Sequence, residues 1–231
     1  MSSFVALVRA DVRLQVRYGL YGVSLLMVLI WGTVLGGLGA SALSPSVLVP
    51  PFIAVNLIIT TFYFIAALVL FEKNEGVLSA LVVTPVSALD YLLSKVLSLT
   101  GLAAAETLLI VAFIFGSEVE WPLLLAGTCL LAALYSLVGF LVIVRLRTFN
   151  DFLMPSVFFV IVLLLPLLEY LPVSGTGMLR LHPAYPALAL IRGAVGSAAA
   201  GLTELMAAIG WCSLALLWSS LEFRRHFVRG R

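Results

Sequence analysis

A single carboxylate, Glu106, stands in an otherwise uncharged stretch from Val96 to Ser117. Such a group inside hydrocarbon costs about 2.5–3.5 kcal/mol on insertion scales, so it turns toward protein or water. It is a candidate substrate contact or proton site, or the partner of an internal hydrogen bond from a neighbouring segment. Asn56, Thr60, Thr61 and Tyr63 give a second apolar run a polar aspect, suited to lining a pathway. Phe152, Phe158 and Phe159 offer aromatic surface to a hydrophobic solute, or equally to lipid and packing. Other chemistries fare worse. Ser174 near His182 is the one nucleophile–base pairing in reach, and it sits among Pro and Gly rather than in a helix core. Cys129 and Cys212 lie in apolar runs without ligand-like neighbours and read as small buried hydrophobes. No metal site follows from two cysteines and two histidines so placed. A Gly-x-x-x-x-Gly-Lys-Ser/Thr phosphate loop is absent from the sequence.

The elements that position these groups must be membrane helices. The chain is 63% hydrophobic and 10% charged, with mean hydropathy +1.20, whereas soluble domains carry about 25% charge. Lipid must therefore solvate much of it. The hydropathy divides into six spans, roughly 19–43, 50–71, 91–116, 121–144, 152–171 and 203–221. The prolines at 45, 50 and 51 separate the first two, and Pro155 and Pro166 interrupt the fifth. Of thirteen Lys and Arg residues, all but Arg180 and Arg192 then share one side. Positive charge near span ends stays cytoplasmic, which puts both termini in the cytoplasm of a plasma (inner) membrane protein. The first apolar run is too long for a secretory h-region of about 7–15 residues, so it reads as a retained helix despite Ala40-Ser41-Ala42. The basic run Arg224–Arg231 suits anionic lipid rather than nucleic acid.

Three segments lie outside the spans. In residues 2–17, Arg9, Arg13 and Arg17 share one helical face, with Phe4, Val5, Val8, Val12 and Val16 largely opposite. That pattern predicts an interfacial amphipathic helix. Residues 172–202 are punctuated by Pro and Gly, yet Ala184–Val195 is apolar apart from Arg192. A run this short predicts re-entrant helices on the outer face. Glu169 and Glu204 stand near enough in sequence to pair with Arg180 or Arg192. The cytoplasmic segment 72–90 holds Glu72, Lys73, Glu75 and Gly76, a short apolar stretch, then Thr84-Pro85. The residue before a proline avoids helical geometry, which ends that stretch. Ser87-x-x-Asp90 then resembles a capping box opening the third span.

The string Glu75-Gly76 … Leu81 … Thr84-Pro85-Val86-Ser87 … Tyr91-Leu92 … Ser94-Lys95 resembles the segment after the second span of type-2 ABC transporter permeases. The order of parts is similar across nearly the whole chain. His182-Pro183-Ala184-Tyr185-Pro186 … Ile191-Arg192-Gly193 resembles the family's outer segment, with His182 where Asn is commoner. The drug-efflux, fluoroquinolone-type branch is the nearest. The resemblance implies an all-α permease domain over residues 1–231, with no enzyme activity of its own and no bound cofactor. A separate ABC ATPase subunit would hold ATP and Mg, and a second permease subunit, identical or related, would complete the pathway. The resemblance assigns Glu72, Lys73, Glu75, Gly76, Thr84 and Pro85 to ATPase coupling. Asn56, Thr60, Tyr63, Glu106, Phe152 and Phe159 are the expected pathway side chains. The alternative is a stand-alone secondary carrier, although such carriers usually have more spans and internal repeats.

Overall fold

The computed structural model describes residues 3–38, 45–77, 87–115, 119–170, 177–196 and 201–228. Among them no strand occurs, and six helices are long and apolar enough to cross a membrane. The chain begins with α1 (Ser3–Arg17), which turns at Gly19 (φ 72°) into the first span, α2 (Leu20–Leu38). The second span is one rod in three parts. α3 (Pro45–Leu57) leads into a π-helical stretch, Ile58–Tyr63, and then into α4 (Phe64–Asn74). The remaining spans are α5 (Ala88–Phe115), α6 (Trp121–Ile143), α7 (Phe149–Leu164) and α9 (Leu202–Phe223). Between the last two lie a 3-10 turn, Met178–Leu181, and the short α8 (Tyr185–Ala194).

The span ends depart from the sequence expectation at the prolines. Pro50 and Pro51 lie inside α3, which already begins at Pro45. Pro155 likewise lies within an unbroken α7, and only Pro166 coincides with a change, to the 3-10 stretch Leu165–Tyr170. Prolines are tolerated in membrane helices because neighbouring groups take over the freed carbonyls. The sixth span runs past its expected end, carrying Glu222 inside α9 and continuing as a π-helical turn over Arg224–Val228. Both starting caps are chemically explicit. Asp90 N donates to Ser87 Oγ at 3.0 Å while the Ser87 hydroxyl donates to Asp90 at 2.7 Å, opening α5 as the sequence predicts. At the start of α7 the pair runs through both backbones: Asp151 N donates to Thr148 Oγ1 at 3.2 Å and Thr148 N donates to Asp151 Oδ2 at 3.2 Å.

α6 is the hub. It packs against α4, α5, α8, α9 and the π-helical stretch. Two glycines let neighbouring backbones come close. A Cβ at Gly139 would lie 2.6 Å from the Phe62 carbonyl oxygen and 2.9 Å from Ile65 Cγ2. At Gly127 it would lie 2.8 Å from Ile191 and 2.9 Å from the Ala187 carbonyl on α8. The core is Leu, Ile, Val and Phe from α3, α4, α5, α6 and α8. By contrast α2, α7 and α9 present large exposed residues, among them Leu25, Met154, Phe158, Leu214 and Trp218. A soluble fold would hide such surfaces, and lipid does not require it.

This packing makes the two glycines unequal to those on α2. Gly139→Ala should destabilise by about 1–3 kcal/mol through overpacking, whereas Gly32→Ala meets nothing within 4 Å and should be neutral. Thermal unfolding of the purified variants in detergent checks this, and equal melting of the two would refute the tight α6 contact.

Candidate functional site

The largest polar assembly lies where α1, α4 and α5 meet. Lys95 is fully buried on α5, two turns in from the Ala88 end. Its Nζ donates to Asp11 Oδ1 at 2.7 Å and to Glu72 Oε1 at 2.6 Å. The second oxygens are also occupied. Ser94 donates to Asp11 Oδ2 at 2.6 Å, and the Tyr91 hydroxyl donates to Glu72 Oε2 at 2.5 Å. The ammonium further sits 4.7 Å from the Tyr91 ring centroid. One turn along, Gln15 donates to Ser98 Oγ at 2.8 Å.

This assembly revises the expectation for the N-terminal helix. α1 turns Asp11 and Gln15 inward, while Val16 is 60% exposed. Its packed stripe is therefore mixed, with Asp11 and Gln15 set among half-buried Leu7, Val8, Val12 and Leu14, because its neighbour α5 offers Lys95, Ser94 and Ser98. Lys95 itself is not a cytoplasmic loop residue, as its charge had suggested, but an interior ion-pair partner. Asp11 and Gln15 were not singled out from the sequence, and Tyr91 and Ser94 entered only through the family-like string, with no role given. The available signal was a lone lysine with serines at i−1 and i+3 on an apolar helix, which demands a carboxylate from elsewhere.

The expected coupling residues cluster around this junction but differ in what they face. Glu72 is buried against Lys95, so it meets no partner surface directly. Lys73 donates to the carbonyls of Ile143, Val144 and Leu146 at 2.7–3.0 Å, capping the end of α6. Glu75 stands nearer the surface. It accepts from the Tyr18 hydroxyl at 2.5 Å and lies 3.4 Å from Arg17, while Tyr18 stacks on Phe71. The Glu75 contact holds the Tyr18 proton above the usual phenol range. Gly76 takes φ 72°, the left-handed turn that ends α4. Thr84, Pro85 and the short helix expected before them lie outside the described residues. On the same end, Glu222 accepts from Arg145 at 3.1 Å and Arg225 at 3.3 Å, tying the end of α9 to the turn after α6.

The expected pathway residues fall into two groups. Asn56 Nδ2 donates to Glu106 Oε2 at 3.0 Å, both buried. Ser24 on α2 and Thr60 stand beside the same carboxyl, close enough to act on its charge. The Thr60 hydroxyl itself donates to the Asn56 carbonyl at 3.2 Å. Tyr63, Phe62 and Phe152 form the second group, an aromatic cluster with centroids 5.3–5.8 Å apart. Tyr63 also hydrogen-bonds Ser156 at 3.3 Å. Phe159 is apart from it, edge-on to Phe158 and half-buried. Ser24 and Phe62 went unnoticed in the sequence, since a serine or phenylalanine in an apolar run carries no distinguishing pattern.

Near α8, His182 Nδ1 accepts from Ala184 N at 3.1 Å, and the Val162 backbone lies near its ring. Burial pushes the imidazole below its ordinary value of 6.5. Glu204 caps its own helix through Gly201 N at 2.9 Å and the Thr203 hydroxyl at 2.8 Å. Both bonds go to the same oxygen, Oε2.

The fluoroquinolones export permease protein family matches residues 2–230. The chain belongs to that family. It is also similar to two Mycobacterium tuberculosis proteins, from two strains, each named a fluoroquinolones export permease protein. Each is 28% identical over 167 residues, covering 72% of this chain and 69% of the relative. With six apolar spans, the chain is thus a multi-pass membrane permease of an export family.

Two predictions follow from the polar groups. Lys95→Met leaves two buried carboxylates without their cation and should cost about 3–5 kcal/mol. Loss of folded protein on detergent extraction reads this out, and a wild-type melting temperature would mean that α1 is not anchored there. His182 is favoured neutral in the fold, so its contribution is present above about pH 6.5 and lost as pH falls through its lower folded value. Stability should fall across that acid window in the wild type and less so in His182→Gln, and parallel pH profiles would show the ring carries no such linkage.

Proposed function

We propose that this chain is the membrane subunit of an ATP-driven exporter of amphipathic drugs of the fluoroquinolone kind. The names of its relatives support the substrate class. A separate ATPase subunit holds ATP and Mg, a second permease chain completes the pathway, and both termini face the cytoplasm of the inner membrane. α8 and the 3-10 turn before it then dip back from the outer face.

The observation that carries this reading is the three-way junction of Asp11, Lys95 and Glu72. It fastens the N-terminal helix, the end of the second span and the start of the third into one unit. The segment 72–90 that leaves this unit is where a partner's stroke enters. Glu75 and Gly76 supply the contact, Thr84 and Pro85 lie further along the same segment, and Glu72 and Lys73 act behind them by holding the spans together. Force applied to the segment moves α1, α4 and α5 jointly, because parting them exposes a buried charge. The remote polar and aromatic groups at Asn56, Thr60, Glu106, Tyr63 and Phe152 line the route, with Phe159 at its margin.

A second reading has one observation in its favour. Glu106, buried beside Asn56, would serve a proton-driven carrier as well as an ATP-driven one. The energy source decides between them.

The tagged chain, purified from native membranes, should bring an ATPase with it. Inverted vesicles containing both should accumulate a fluorescent fluoroquinolone with ATP and not with a proton gradient alone. Glu75→Lys should reduce that uptake to near background while leaving the chain in the membrane and the partner's ATP hydrolysis intact. Gradient-driven uptake without ATP would establish the carrier instead, and full uptake by Glu75→Lys would remove the contact from that place.

A further inference from the structure

α2 and α5 enclose a groove of about 630 Å³ that opens on the apolar surface of the bundle. Ligand pockets commonly span about 300–1,000 Å³. Its walls are apolar, with Leu25, Leu29, Leu109 and Phe113 exposed along them. On the α2 side Gly32 and Gly36 keep the wall low, and a Cβ at either meets nothing within 4 Å. A flat ring system fits such a surface better than a branched one.

The floor of the groove has a different character. Val28 and Ile110 line it, and each lies one helical turn from a polar residue, Ser24 on α2 and Glu106 on α5. One turn along the two helices, Glu106 Oε1, Asn56 Oδ1, Ser24 Oγ and Thr107 Oγ1 are buried with no hydrogen bond of full geometry, although the Ser24 and Thr60 hydroxyls stand beside the carboxyl. Glu106 is 2% exposed and Asn56 is 1% exposed. Among the described residues no Lys, Arg or His forms an ion pair with Glu106, unlike the carboxylates gathered on Lys95. Two of the four open atoms are pure acceptors, the carboxylate oxygen and the amide oxygen, and the two hydroxyls can accept as well. The cluster's amide N–H, Asn56 Nδ2, is already given to Glu106 Oε2, and no cationic side chain among the described residues is paired with the carboxylate. Its complement is an ammonium.

We propose that this groove is a lateral binding site for amphipathic organic cations, in which an aromatic body lies on the Gly32–Gly36 wall and a protonated amine reaches Glu106, Asn56 and Ser24. The molecule enters from the bilayer rather than from water. Leu25 and Val28, on an α2 that packs on one side only, swing aside to admit the amine. The site rests on the export reading above only for what happens after binding, since occupancy itself needs no ATPase.

The test uses the full chain alone in lipid nanodiscs and two fluorescent probes. Dansylcadaverine carries a naphthalene body and a primary ammonium, and the dansyl amide of pentylamine is its neutral counterpart. Dansylcadaverine should bind the wild type about tenfold or more tightly than the neutral probe, the difference expected of one charge-assisted hydrogen-bonded contact. Glu106→Gln should erase that difference while leaving the neutral probe's affinity unchanged. Gly32→Leu fills the groove from a position with open space around it and should weaken both probes. Equal binding of the two probes to the wild type would show a lipid-like apolar groove only, and would overturn the proposal. So would an unchanged preference in Glu106→Gln, or full binding by Gly32→Leu. Any of these leaves ATP-driven export by the complex standing, because that is read in vesicles with the partner present.

Discussion

Removing a lysine from water is unfavourable by several kcal/mol unless its charge and its donors are fully met. Lys95 meets that demand with two carboxylates, each of which has its second oxygen satisfied by a hydroxyl. The arrangement exists only if α1, α4 and α5 are all in place. A helix that lay on the membrane surface merely for its apolar face would be free to drift. α1 instead turns Asp11 and Gln15 inward beside Leu14, so its position is tied to the third span. The turn at Tyr18 and Gly19, stacked on Phe71 and bonded to Glu75, then fixes where the first span starts.

The six spans, their order and the cap at Ser87 are legible in the sequence, the spans because hydrocarbon imposes length and excludes charge. Caps are local chemistry, three residues long. What could not be read is of two kinds. Prolines look like breaks, yet Pro50, Pro51 and Pro155 sit inside helices whose surroundings compensate for the lost donors. Charges look like water, yet Lys95 and Glu222 are interior because their partners arrive from far along the chain. Asp11 is 84 residues from Lys95. Glu106 and Asn56 were each visible as misplaced polarity, and their pairing needed only the third dimension. Ser24 had no signal at all.

The third span thereby carries two polar layers on one side. Lys95 and Glu106 are eleven residues apart, about three turns and about 16 Å of rise. In the first layer both oxygens of each carboxylate are bonded, and Gln15 Oε1 alone among its buried acceptors is left over. The second is half-open, with one amide bond and several buried acceptors left over. A layer bonded in this way gives rigidity to the end that joins α1, and a half-open one leaves room for exchange of partners deeper in the bundle. The division is consistent with a protein that must be stiff where it is pushed and adaptable where it holds cargo.

The π-helical stretch from Ile58 to Tyr63 gives this geometry its phase. On an unbroken α-helix, Asn56 and Glu72 would point about 160° apart, since each residue advances about 100°. One would then look at the third span and the other away from it. The wider π turn advances less per residue and rotates the lower half of the rod back. Both side chains come to face the same neighbour, Asn56 on Glu106 and Glu72 on Lys95. The bulge is a helical vernier: six loosely wound residues, seated where Gly139 leaves room for the Phe62 carbonyl, keep two distant contacts in register.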